Sequence, residues 1–278
     1  MAEQDMQGKK LIVTGAGIGL GRAMAMHFAE HGAAVALHYA KDFEDAPANA
    51  TKIRDKGGIA KAFKADFCDL DQTMQFAQDA IDFLGGVDIV INNAGITVNC
   101  PFESTTVQQY EAMYAVNVRS SFFVTQAAVP VMAAGGGGSV INMTSVHAFA
   151  GAHEHSVYAG TKGAIVAQTR VLAVELGTKN IRVNAIAPGF VPTDSYAKVA
   201  PDMDMDAITA TIPVGRVGTP QDIAQLAMFL ASDQSGYITG QTFLIDGGLM
   251  AHMSRSDNFH RPIDERWGNM YVSNPKQR

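Results

Sequence analysis

The sequence predicts an α/β protein: a single doubly wound parallel sheet with helices on both faces. Three observations carry the prediction. Short β-branched runs alternate with longer helical patterns from Lys9 to Leu249. The runs are apolar throughout instead of alternating apolar with polar, the pattern of strands covered on both faces. The first run leads directly into "TGAGIGLG", a glycine-rich turn that opens a helix. Glycines there let backbone N–H groups approach a phosphate at the positive end of that helix.

The elements follow in order. "LIVTG" (11–15) is the first strand, and its helix runs from Arg22 to His31. "AVALHY" (34–39) precedes a helix from Ala46 to Lys56, and "IAKAFKAD" (59–66) precedes one from Leu70 to Leu84. "VDIVINNAG" (87–95) is followed by a helix-rich stretch to Met132. "AAGGGG" (133–138) falls between helix and strand and reads as a turn. "GSVINMTS" (138–145), a helix from Tyr158 to Leu176, "IRVNAIAPG" (181–189), the helix "PQDIAQLAMFLAS" (220–232) and the strand "GQTFLIDGG" (240–248) complete the series. One domain therefore accounts for residues 1–249, and 250–278 form a C-terminal extension.

In such a sheet ligands lie beyond the carboxyl ends of the strands, so residues just after strands are read first for function. The glycine spacing is T-G-x-x-x-G-x-G, with Gly15, Gly19 and Gly21 as fixed points and Gly17 as an extra. It does not fit the commoner G-x-G-x-x-G pattern. Asp66, after the third strand, is placed to accept from an adenine amino group, with Phe67 beside the ring. After the fourth strand, "NNAG" lets backbone pass close to a cofactor, while Asn92 and Asn93 tie neighbouring strands. Ser145 ends the fifth strand; Tyr158 lies 158 − 145 = 13 residues later, and Lys162 follows one helical turn on. A phenol with a pKa of about 10 is a poor base at neutral pH, and an ammonium one turn away favours its phenolate. Tyr158 would then exchange a proton with an oxygen that Ser145 also hydrogen-bonds, and Lys162 can hold ribose hydroxyls of a nicotinamide cofactor.

With "TGAGIGLG", "NNAG", "NVRSSFF", Ser145, "YAGTK", "PGFVPT" and "YITGQTFLIDGG" in order, the chain resembles the short-chain dehydrogenase/reductase family, whose fold is Rossmann-like. The resemblance implies an oxidoreductase that interconverts a secondary alcohol and a carbonyl through a tetrad of Asn117, Ser145, Tyr158 and Lys162. It also implies that Asn117 holds a proton-relaying water and that Thr193 binds the nicotinamide carboxamide. The expected cofactor contacts are Gly15, Gly17, Ile18, Gly19, Tyr39, Lys41, Asp66, Phe67, Asn93, Ala94, Gly95, Tyr158, Lys162, Pro188, Gly189, Val191 and Thr193. A sugar dehydrogenase and a 3-oxoacyl thioester reductase are the competing activities. A cofactor-binding regulator with a dead site would show damage in the tetrad, and none is visible.

An acid about 20 residues past the glycines normally selects NAD by bonding the ribose 2′-OH. Tyr39 stands there, and the nearest acid, Asp42, lies beyond the expected site. Lys41 can pair with a 2′-phosphate, and "HYA" resembles the "NYA" of NADP-preferring relatives, so NADP is favoured over NAD, with dual specificity open. His147, His153 and His155 surround the catalytic segment. Hydride transfer with a tyrosine acid needs no metal, so none is expected, and these histidines are candidates for substrate contact. The segment 190–212 should fold over the substrate.

The rest of the composition sets limits. Net charge is −6, with 47% hydrophobic and 17% charged residues, a compact enzyme's balance with no general pull towards nucleic acid or anionic membrane. Acids near the N-terminus and the lack of a long apolar stretch argue for a cytoplasmic location. Cys68 and Cys100 are expected to be reduced, packed thiols. The resemblance implies a homodimer or homotetramer assembled through the last two helices and final strand. The extension holds Trp267, the chain's lone tryptophan, with Arg261 and Arg266, and is expected to cross to a neighbouring subunit and help cover its substrate pocket.

Overall fold

The computed structural model describes residues 5–42, 44–193 and 203–251. Seven parallel strands lie in the order β3-β2-β1-β4-β5-β6-β7. They are β1 (Lys10–Val13), β2 (Ala34–Tyr39), β3 (Ala60–Lys64), β4 (Ile89–Asn92), β5 (Gly138–Met143), β6 (Ile181–Pro188) and β7 (Thr242–Ile245). The order reverses at β1 and β4, which pair with Val13 opposite Ile91. That reversal parts the loops and leaves a crevice at the carboxyl edge.

The helices among the described residues are α1 (Gly19–Glu30), α2 (Ala46–Asp55), α3 (Leu70–Leu84), α4 (Val107–Tyr114), α5 (Ser120–Ala134), α6 (Ser156–Gly177), α7 (Met205–Ala210) and α8 (Pro220–Ala231). Each strand sends alternate side chains to opposite faces, which splits the core in two. Leu11, Val13, Val35, Leu37, Ile89 and Ile91 pack with Met24 and Phe28 of α1 and Ile223 and Met228 of α8. Ile12, Ala36, Val90 and Val140 pack on the other face with Phe76 and Ala80 of α3, Val124 and Met132 of α5, and Ala173 of α6. Because both faces are covered, β4 is buried at every position and β1 and β5 at all but the first, and the long apolar runs follow from that.

Local signals fix the helix ends. The Asp69 side chain accepts from the amides of Asp71 and Gln72 at the start of α3, and Gly85 ends that helix in the left-handed conformation at φ 62°. Thr219 and Asp222 form a reciprocal capping box on α8, with Pro220 at its first position. Between α4 and α5 the chain stays helical but widens to a π-turn over Ala115–Arg119, centred on Asn117. No helix among the described residues is long and apolar enough to cross a membrane. Most of the extension, 252–278, with Arg261, Arg266 and Trp267, and residues 194–202 of the expected cover lie outside the described residues.

Candidate active site

Two clefts open side by side over the carboxyl edge of the sheet, of about 410 and 420 Å3. Both are lined by Leu20, Asn93, Gly95, Ile96 and Thr193, so they are contiguous. The first holds Gly15, Ile18, Gly19, Lys41, Asp66, Phe67 and Ala94. The second holds Ser145, His147, His155, Tyr158, Lys162, Pro188, Gly189 and Val191.

The glycine turn has the form a phosphate cradle requires. Gly15 has φ +61°, and a Cβ there would stand 3.0 Å from Ala94 Cα. At Gly21 a Cβ would lie 2.1 Å from the Gly15 carbonyl oxygen, so α1 can start this close to β1 only without a side chain. Ile18 precedes α1 in extended conformation and gives no side-chain cap, and no acid sits in the first turn. The first amides of α1 are thus left to an external anion.

Neighbouring strands hold the cradle. Asn93 Nδ2 donates to the carbonyls of Thr14 and Gly15, and Thr14 Oγ1 accepts from the amides of Asn93 and Ala94. Asn92 Nδ2 donates to Asn142 Oδ1 and Thr125 Oγ1, so both asparagines tie strands as expected. Sequence reading missed His38. Its Nδ1 accepts from the Gly15 amide at 3.0 Å, so the ring proton is on Nε2, facing the Ala65 carbonyl at 3.0 Å. Burial pushes this imidazole down to about 4, so it stays neutral and keeps that tautomer. Its ring stacks on Phe67 at 3.8 Å between centroids, which ties the β3 loop to the glycine turn.

Several expectations need correction. Gly17 does not line the cleft; a Cβ there would meet Glu44 at 2.6 Å, so its glycine serves close packing with the segment after β2. Tyr39, at the end of β2, packs against the core instead of the cleft. No acid was expected at this end, yet Glu44 folds back so that its carboxylate accepts from the amides of Ala40 at 3.2 Å and Lys41 at 3.3 Å. Lys41 in turn lies 3.7 Å from Asp66. Asp66 also accepts from the Cys68 amide, the main cause that holds its carboxyl below the usual range. Cys68 is exposed at the rim and Cys100 half-buried, so neither is a core thiol; Phe67 fills the interior in that loop.

In the second cleft, the Ser145 hydroxyl accepts from the His147 amide at 3.2 Å. The Lys162 ammonium donates to the Met143 carbonyl at 2.9 Å and stands 5.5 Å from the centre of the Tyr158 ring. Burial lowers Lys162 to about 8. Asn117 is buried behind the cleft, not in its wall. Its Oδ1 accepts from the Ile96 amide, and its Nδ2 donates to the Ile96 carbonyl and to Thr161 Oγ1. Thr161 Oγ1 donates to the Tyr158 carbonyl, so Asn117 braces the turn that carries Tyr158. His147 and His155 stack at 4.7 Å with both rings edge-on to Tyr158, whereas His153 points outward beside Glu154 and leaves the cleft.

This geometry agrees with what the chain is similar to. A family model described as "Enoyl-(Acyl carrier protein) reductase", of the short-chain type, matches residues 15–250. The chain belongs to the short-chain dehydrogenase/reductase family. It is 37% identical over 254 residues to a probable tetrahydroxynaphthalene reductase of Zymoseptoria tritici, covering 87% of this chain and 94% of the relative. It is 35% identical to a 3-oxoacyl-[acyl-carrier-protein] reductase of Thermotoga maritima, covering 88% and 99%. A solved structure from Beutenbergia cavernae, described as an NAD(P)-dependent gluconate 5-dehydrogenase with bound NADP, superposes with TM-score 0.84 at 36% identity, covering 90% and 99%. The chain is accordingly an NAD(P)-dependent oxidoreductase of the Rossmann-like fold.

Proposed function

We propose that Ser145, Tyr158 and Lys162 carry the alcohol–carbonyl interconversion, with Asn117 completing the tetrad. The reading rests on one observation above all: Ser145, Tyr158 and the buried Lys162 face one cleft that runs on into the glycine cradle. The cradle fits a dinucleotide, because α1 begins uncapped beside the cleft and only a glycine at position 21 lets it start so close to β1. A nicotinamide bound there supplies or accepts the hydride. The protein's part is to hold the substrate oxygen and move its proton.

Since Ser145 Oγ already accepts from the His147 amide, its own proton is left to donate to the substrate oxygen. Tyr158 gives the proton during reduction and takes it during oxidation. At about 8, Lys162 is still mostly a cation at neutral pH, and its charge beside the ring favours the phenolate. Both amide hydrogens of Asn117 are engaged, so a relay water would sit on a carbonyl of that turn, and the side chain itself positions Tyr158 through Thr161. Tyr158→Phe should lower kcat by roughly 10²- to 10⁴-fold while cofactor Kd stays within about twofold. Turnover within tenfold of wild type would refute the assignment.

We propose NADP as the cofactor, with Lys41 towards its 2′-phosphate, supported by the NADP described in the Beutenbergia relative. Glu44 favours the second reading, NAD, because a carboxylate already occupies the amides of Ala40 and Lys41. Screening sugar acids, polyols and 3-oxoacyl thioesters with both cofactors separates the competing substrates. We also propose a cytoplasmic homodimer or homotetramer whose contact includes β7, the sheet edge, where Leu244 is 44% exposed. In it, residues 250–278 would reach the neighbouring subunit's pocket.

A further inference from the structure

Among the described residues none of those lining the second cleft is an acid, and the titratable groups there beside Tyr158 and Lys162 are His147 and His155. His147 sits in the short turn Val146–Ala148 after β5, and His155 is the residue before α6. Their rings stack almost parallel, 13° apart with centroids at 4.7 Å, which is too close to admit an aromatic ring between them. Centroid distances of 5.7 and 6.0 Å put them against the edge of Tyr158.

We infer that the substrate carries a carboxylate close to its reacting carbon, and that the His147–His155 pair binds this group. The inference rests on the tetrad reading, which gives the carbonyl oxygen to Ser145 and Tyr158 and leaves the adjacent substituent to the imidazoles. His155 Nδ1 is 2.7 Å from the His153 carbonyl, an acceptor, so Nδ1 carries a proton and donates. Its Nε2 is then a lone pair in the neutral ring and a donor once protonated. The stacked pair thus brings to the cleft it lines a ring nitrogen that can donate to an anion. Burial and the neighbouring His155 lower the His147 imidazole, and a bound anion opposes that shift. The groups facing it are Ser145 and Met143 from β5 and its turn, and Tyr158 and Lys162 from α6. Ile96 and Thr97 follow β4, and Phe190 and Val191 follow β6. The outward His153 and Glu154 pair with each other at 3.6 Å behind it. Lys162 is bound to the Met143 carbonyl, so it does not take this role.

The test uses matched probes on the full-length enzyme loaded with cofactor: acetoacetate against acetoacetamide, and 2-ketogluconate against D-fructose. Labelled histidine Cε1 signals are titrated in parallel by NMR. The acids should raise the titration midpoint of at least one of the two rings, and their neutral partners should not. The acid-to-neutral ratio of kcat/KM should fall about tenfold per pH unit above that midpoint. In His147→Asn/His155→Asn this ratio should drop roughly 10- to 100-fold, the loss expected for one charge-assisted hydrogen bond. The proposal is overturned if neither ring responds to any acid, or if the ratio is unchanged by pH and by the double variant. Should no probe turn over although cofactor binds, the ring titrations still decide the carboxylate site, and Tyr158→Phe on a substrate from the wider screen decides the tetrad separately.

Discussion

Replacing Lys162 with methionine should abolish turnover and at the same time stabilise the cofactor-free protein. Lys162 is buried, and burial holds its ammonium at about 8 against the usual 10.5. At 1.36 kcal/mol per pH unit, keeping that charge inside costs about 3 kcal/mol below pH 8. Methionine keeps the straight apolar stem and forfeits the bond to the Met143 carbonyl, a loss of about 1 kcal/mol. The net gain near pH 7 is therefore about 2 kcal/mol, or about 4–8 °C in Tm. The sign follows from linkage: the folded pKa is below the unfolded one, so the cost is full below pH 8 and fades as pH rises towards 10.5. Thermal melts of variant and wild type at pH 7, 8, 9 and 10 supply the assay, with the difference in Tm shrinking along the series. A variant that melts below wild type at pH 7, or a gain unchanged at pH 10, would refute the claim that the site stores this cost for the sake of Tyr158.

The other predictions can be checked with purified enzyme. Glu44→Gln removes a charge at the amides of Ala40 and Lys41 and should tighten NADPH binding about fivefold, with NADH within about twofold; equal changes by titration calorimetry would exclude Glu44 from cofactor selection. His38 stays neutral with a folded pKa of about 4 against 6.5, so the fold should lose stability as pH falls from 6.5 to 4, by about 3 kcal/mol at the lower end. In His38→Phe that slope should flatten and cofactor Kd should rise at pH 7, because the Gly15 amide loses its acceptor; denaturant melts across this range that keep the wild-type slope would remove His38 as the cause. Deleting residues 250–278 should leave cofactor Kd nearly unchanged and raise KM or lower kcat, and identical kinetics and assembly would show that the extension takes no part in the site.

The sequence by itself determined the sheet and the order of its parts. A strand buried on both faces is mostly apolar, with polar residues only where they find partners, and "VDIVINNAG" and "IRVNAIAPG" carry that pattern. The glycine spacing and the Ser145, Tyr158 and Lys162 interval were legible too, because each lies within one strand–turn–helix unit where sequence distance sets spatial distance. Other features were decided by contacts between segments far apart in the chain. His38 meets Gly15 across 23 residues and Ala65 across 27, through backbone atoms that leave no trace in composition. Asn117 likewise works through Ile96 and Thr161, 21 and 44 residues away. Tyr39 stood at the expected spacing but packs against the core, while Glu44, displaced from the expected position, was folded back to the amides of Ala40 and Lys41. Of three histidines in one loop, stacking against Tyr158 selected His147 and His155 and left His153 in solvent. Spacing along one element survives folding, whereas the facing of a side chain at a loop is fixed only when the partner segment arrives.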